Sequence, residues 1–394
     1  MLDAAELLPA SQSEVGRIHK YIALAYAAKI KLYQAYQQDE ITHAVTSINK
    51  ELLREVVSLC DQVTASNRYG LLDDFQGLDL VANENGKESV FAIQYSMNDG
   101  TESAGRINWS NLLNSPGGGS PYGGDGFFLP SQDLINAYQT DANGLPDFNY
   151  QSKSDYSWAV LNNGVYTLQN TTPNVDPRLD FVVGRPTITW KTYPDTPCEG
   201  WVRDKETYGY NCAKRFWVSP ESSDMFNGWP WGASQLNWQI IRYADILLWK
   251  AEALIELNEG NGLETARDLI NQIRNRARNS AYVKDFNDHS KYAANYLVNP
   301  YPADVWNQDY ARQALRWETR LEKALEGERF FDLVRWGIVE TTMNKYITAE
   351  SDNRIYYANA HFTGGKDEYY PVPNNQYGFS GGKYVQNPGY APFN

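Results

Sequence analysis

Between residues 318 and 336 the chain reads ETRLEKALEGERFFDLVRW, which places charge where a helix would bury its side chains. At 100° per residue Glu318, Glu322, Glu326, Arg329, Leu333 and Trp336 fall on one narrow arc, with Leu325 at its edge. A stripe of carboxylates and arginine flanked by Leu and Trp can be buried only if each charge finds a partner. On such a helix Arg329 reaches Glu322, Glu326 and Asp332, so the spacing predicts a helix over 318–336 that satisfies its own charges. Gly327 within it would cost about 1 kcal/mol relative to Ala, which implies another backbone packed against that point. A structural ion-pair helix is favoured over a catalytic one, because no His or Cys stands nearby to complete a site.

A chain of 394 residues can bury a large core, and length alone would allow two or three domains. With 12 Trp and 28 Tyr the aromatic content is high, so the rings need a purpose or a place. A net charge of -13 and the lack of any basic run interleaved with aromatics argue against nucleic acid as a partner. The three cysteines, Cys60, Cys198 and Cys212, form no C-x-x-C pair and encode neither a zinc site nor a disulfide scaffold. Cys60 sits on an apolar helical face and reads as core; whether Cys198 and Cys212 pair across their loop is open from sequence. The most apolar run, 244–257, is broken by Asp245, Lys250, Glu252 and Glu256, so no membrane span is written here. His19, His43, His289 and His361 lack ligand spacing, and no zinc-protease, nucleophile-elbow or phosphate-loop motif occurs. The expectation is therefore no catalytic residues, no metal and no cofactor.

Helical periodicity marks 16–38 and 48–63, joined by a polar turn as an antiparallel hairpin. Residues 88–95 read as a short strand, and 130–138 as a short helix capped by Ser131. The glycines between 98 and 125 read as flexible loop, since no strand and helix flank them in the order a phosphate cradle needs. Residues 147–237 hold the densest Trp, Tyr, Pro and Gly without sustained period, and loops of this kind keep some side chains near the surface. A second hairpin runs through 240–257, a turn at 258–262, and 263–277; beyond Trp336 helical periodicity is lost. The fold class expected is mainly α: tetratricopeptide-like hairpins at about 14–66, 238–279 and 308–337, a loop-rich, aromatic-rich insert at about 98–237, and few short strands.

The run Glu322, Glu326, Gly327, Arg329, Phe330, Asp332, Leu333, Arg335, Trp336 resembles the late signature of the SusD/RagB family of outer-membrane nutrient-binding lipoproteins. Lys323 stands where that pattern usually has Leu, at a position expected to be exposed. Similar pieces follow one another in family order: 68–72, 88–95, 130–138, Asp176-Pro177-Arg178-Leu179-Asp180 with Val183-Gly184-Arg185-Pro186, 242–254, 271–277, 369–373 and 386–390. The resemblance implies a single SusD-like domain spanning 1–394 that lacks the family's N-terminal part, with its signal peptide and lipid-bearing Cys. It further implies a surface-exposed place at the cell outer membrane through that lipid anchor, absent from this chain. The implied task is non-catalytic capture of a nutrient glycan for a SusC-like TonB-dependent transporter, with the helical repeats facing the transporter and the insert supplying the ligand surface.

Sugars offer an apolar C–H face that lies on aromatic rings and an edge of hydroxyls that amides, carboxylates and guanidinium groups can fix. The loops between 189 and 238 supply both kinds, with Trp190, Trp201, Trp229 and Trp231 beside Asp195, Arg203, Asp204 and Asn227. A single loop Trp is more often a core plug than a ligand contact, yet both rings of Trp229-Pro230-Trp231 can hardly point inward. Trp201, Trp229 and Trp231 are thus expected to form part of a glycan platform, with Trp109 and Tyr122 as next candidates. Two alternatives are a glycoside hydrolase using carboxylates such as Asp195, Glu199, Asp204 or Glu206, and a helical-repeat scaffold for protein partners.

Overall fold

The computed structural model describes residues 1–102, 104–114 and 116–393. Helix Lys20–Ala35 carries Ala23, Ala25, Ala27, Ala28 and Ala35 inward, and these small side chains let helix Lys50–Thr64 pack closely along it. Asn49 caps the second helix by accepting from the amides of Glu51 and Leu52, and Leu53, Val56, Leu59, Cys60 and Val63 fill the interface. Helix Tyr243–Leu257 lies between Lys50–Thr64, Gly262–Asn279 and Gln308–Glu322, so it is buried on nearly every side. Its acids are tolerated there because each is paired: Asp245 with Lys323 at 2.5 Å, Glu256 with Arg312 at 2.7 Å, and Glu252 with Arg335.

The molecule is mainly helical, and among the described residues its strands are short and paired in twos. Strand Ser89–Ile93 runs antiparallel to Trp238–Arg242, so the first residues expected to open the helix near 240 form a strand instead. Strands Trp158–Asn162 and Val165–Gln169 make a two-residue hairpin through Asn163 and Gly164, both at positive φ as such a turn requires. No helix among the described residues is long and apolar enough to cross a membrane.

The expected helix over 318–336 is broken. Helix Gln308–Glu322 stops, Leu325 and Gly327 take φ of +67° and +85°, and a separate helix Arg329–Arg335 begins. Gly327 is there for its left-handed backbone and not for packing, since nothing lies within 4 Å of where its Cβ would be. Lys323, expected outside, is buried between Asp245 and Glu326, the latter 2.8 Å away. The carboxylates are neutralised from other parts of the chain. Arg178 reaches Glu318 at 2.6 Å and Glu322 at 3.1 Å, Arg274 reaches Glu318 at 3.1 Å, and Arg242 reaches Glu88, Glu322 and Glu326 at 2.7, 3.0 and 2.7 Å. Arg276 adds a further contact to Glu322.

Arg329 takes no part in this network: among the described residues it forms no ion pair and donates no hydrogen bond. Burial, with Arg320 nearby, lowers its pKa to about 9 against the weaker opposing influence of Tyr150, Asp332 and Asp133. Arg329→Ala should therefore change stability by less than about 1 kcal/mol in denaturant unfolding, since it orphans no carboxylate. A loss of several kcal/mol would show a hidden partner.

After Trp336 the chain forms helix Val339–Glu350, which its pattern does not announce. Its apolar residues Val339, Met343 and Ile347 stand at four-residue spacing, with Met343 and Ile347 only half-buried against the core, and Glu350 at its end accepts from the amide of Asp133.

Candidate ligand-binding surface

Trp190 and Trp201, expected among the ligand contacts, are 0% and 3% exposed and are corrected to core positions. Their ring centroids lie 5.1 Å apart, edge to face, in a cluster with Tyr122, Cys212 and Trp217 beneath the loops. Trp190 Nε1 donates to the Tyr122 hydroxyl at 2.9 Å, which donates in turn to the Val218 carbonyl at 2.7 Å, so the polar edges of these two rings are satisfied inside, while the buried Trp217 Nε1 has no acceptor among the described residues. A Cβ on Gly184 would stand 2.2 Å from the Trp190 ring, which shows how tightly that ring is seated. Tyr122 is buried for the same reason.

Trp229, Trp231 and Trp109 are 59%, 49% and 44% exposed, while Pro230 between the first two is buried. Trp109 and Trp229 meet edge to face at 5.0 Å, and Trp109 is fixed by donating from Nε1 to the Ala104 carbonyl at 2.7 Å. Trp231 lies over Gly123, where an added Cβ would come within 3.2 Å of the ring. The Gly-rich loop is therefore a packed support. Gly117 and Gly119 donate to the carbonyls of Trp201 and Gly200 at 2.6 and 2.9 Å, an approach that side chains would block.

Around these rings the polar candidates separate. Asn227 is exposed two residues before Trp229, and its amide makes no hydrogen bond among the described residues. Arg203 pairs with Asp125, next to the loop that carries Trp231. Asp204 caps helix Lys205–Tyr208, and its hydrogen bonds from the Thr207 hydroxyl and amide hold its carboxyl below the usual range. Asp195 is exposed and closes a local turn by accepting from the Thr196 amide at 2.7 Å. Glu199 is tied to Lys205.

All three cysteines are free: Cys198 is exposed, whereas Cys60 and Cys212 are buried. Burial pushes the Cys60 thiol up to about 12. Lys214 beneath the loops is driven the other way, to about 7 by burial, with its ammonium 2.7 Å from the Thr189 carbonyl; at 2% exposure it is part of the support.

The fold recurs among solved structures. A SusD superfamily protein from Bacteroides vulgatus matches with a TM-score of 0.58 at 22% identity, over 95% of this chain and 63% of its own. A SusD homolog from Bacteroides thetaiotaomicron matches with a TM-score of 0.65 at 17% identity, over 98% and 68%. Surface glycan-binding protein A from Bacteroides thetaiotaomicron, solved in complex with laminarihexaose, matches with a TM-score of 0.59 at 16% identity, over 97% and 67%. The chain thus spans about two thirds of the length of these proteins. No curated protein matches it. The model of the SusD family matches residues 87–390, which takes in the arginine and carboxylate network, the insert and the closing segments, and the chain belongs to the SusD family.

Proposed function

We propose that this protein binds a glycan without turning it over, on a platform of Trp109, Trp229 and Trp231, and passes it to a SusC-like TonB-dependent transporter at the cell outer membrane. The observation that carries the reading is the exposure of these three rings on a loop support in which Trp190, Trp201 and Trp217 are buried. An aromatic face costs free energy when left in water, so an exposed, rigidly backed group of three fits a ligand with an apolar face. Asn227 and the Arg203–Asp125 pair stand where hydroxyl groups would need donors and acceptors. The family offers support, since one structural neighbour is a laminarin-binding SusD-like protein and another holds laminarihexaose.

The glycosidase alternative is weakened because Asp195, Glu199 and Asp204 are engaged locally and Glu206, the fourth candidate, lines a separate cleft with no second free carboxylate of the set beside it. A glycan array followed by titration tests the reading. Trp229→Ala and Trp231→Ala should each weaken a hit by about 1 to 3 kcal/mol, by analogy with stacking of bases on aromatic rings, with the melting temperature unchanged. Full affinity in both variants would remove the platform, and release of reducing ends from a hit would make the protein an enzyme. Recovery of the SusC-like transporter with the protein from detergent-solubilised outer membranes tests the delivery step.

A further inference from the structure

A cleft of about 730 Å³ opens beside the hairpin formed by strands Trp158–Asn162 and Val165–Gln169, built from residues other than those of the tryptophan platform. Trp158, 41% exposed, stands at this cleft, and Tyr166 and Tyr210 line it as a tilted pair with centroids 5.9 Å apart. Polar groups enter from the segment after helix Val339–Glu350. Asn353 Nδ2 is 3.3 Å from Asp155, and Arg354 donates to the Asn353 carbonyl at 2.6 Å. Arg354 makes no ion pair among the described residues and packs on Gly209, where a Cβ would fall 2.1 Å from its Nη2; glycine there makes room for the guanidinium.

Gln132 supplies a second, independent observation. It lines the cleft at 3% exposure, and its Nε2 donates to Asn136 Oδ1 at 3.0 Å and to the Tyr156 carbonyl at 2.8 Å. Those two bonds settle which way the amide is turned, and they leave Oε1 buried without a donor. Buried carbonyl oxygens are seldom left so, and the group it lacks is an O–H or N–H. The volume is that of a small-ligand site. The charges at the cleft, Lys205 and Arg354 against Asp155, Glu206 and Asp352, are mixed in sign, which suits hydroxyl groups better than a phosphate or a carboxylate.

We propose that this cleft is a second saccharide site, taking a short neutral sugar segment with its C–H face on Trp158 and its hydroxyls on Asn353, Arg354 and the Gln132 carbonyl. The assignment rests on the reading of the protein as a glycan binder but not on the platform. Protein labelled with 5-fluorotryptophan separates the two, because each ring gives its own fluorine resonance, assigned by its loss in Trp158→Phe or Trp229→Phe. The probes are laminarihexaose, cellohexaose, maltohexaose, xylohexaose and mannohexaose, with hexagalacturonate as the charged counterpart. The Trp158 resonance should move with at least one neutral probe, and Asn353→Ala should weaken that titration about tenfold, within the range for a lost sugar contact, while the Trp229 resonance titrates as before. If the Trp158 resonance stays still with every neutral probe, or moves only with hexagalacturonate, the cleft assignment is overturned whatever Trp229 does. If Trp229 and Trp231 stay still while Trp158 moves, the platform fails and the cleft stands.

Discussion

Arg242→Met should destabilise the protein by about 3 to 5 kcal/mol, the range for removing one partner from a buried ionic group. Arg242 is 1% exposed and meets Glu88, Glu322 and Glu326, all of them buried away from water. Methionine fills much of the arginine stem, so the loss measures the orphaned carboxylates and not a cavity. Arg203→Ala is the control, since its pair with Asp125 is exposed and should cost under about 1 kcal/mol. Denaturant midpoints with unchanged slopes would give both numbers. An Arg242→Met loss as small as that of Arg203→Ala would mean that Arg276, Arg178 and Lys323 suffice for the three acids.

The same network sets the response to acid. Burial by itself would raise the pKa of Glu322, but Arg276, Arg242 and Arg178 overcome it and hold the group down to about 2 from 4.5. Glu326 is held down in the same way by Arg242, Lys323 and Arg215. A carboxylate with a depressed folded pKa contributes stability that is present above its unfolded value and is lost as pH falls through the folded one. For Glu322 the span from 4.5 to about 2 corresponds to about 3 kcal/mol, lost between roughly pH 4.5 and 2. Glu84 and Glu350, raised by burial to about 7, act in the opposite sense, so stability rises as pH falls from about 7 towards 4.5. The measured free energy of unfolding should therefore peak near about pH 5 and fall steeply below about 4.5. A curve flat down to pH 2.5 would show that the buried acids titrate alike in the folded and unfolded chain.

Periodicity was enough to find the helices whose faces are cleanly divided. Lys50–Thr64 and Gly262–Asn279 lie within two residues of where the apolar spacing places them, because one face of each is apolar and the other charged. Helix Val339–Glu350 escaped because its apolar stripe is short, Val339, Met343 and Ile347, and is set among Thr341, Thr342, Asn344 and Thr348 on a half-buried helix. Strand Trp238–Arg242 was absorbed into the following helix because both are apolar and continuous in sequence.

In the candidate surface, the argument from Trp229-Pro230-Trp231 needed only local geometry, since both rings stand in one short Gly-rich segment and can hardly both turn inward. Trp190 and Trp201 had no such local sign. Their burial depends on Tyr122, Gly119 and Gly184, which come from other stretches of chain. Nor could the cleft at Trp158 be read from sequence, because its polar groups come from residues 132, 205–210 and 352–354.

By itself the sequence determined that the carboxylates of 318–336, standing among Leu and Trp, must be buried with cationic partners, and its local spacing offered Arg329 for that part. It also determined the helical class, through side-chain spacing that acts over one or two turns. Only the tertiary structure decided which charges answer which. Glu322 is met by Arg178, Arg242 and Arg276, which lie 144, 80 and 46 residues away in the chain, while Arg329 close by answers none of them. A helix supplies neighbours three and four residues apart; once residues 323–328 turn out of it, Glu326 and Arg329 leave the shared arc, and the arginines brought in by packing take their place.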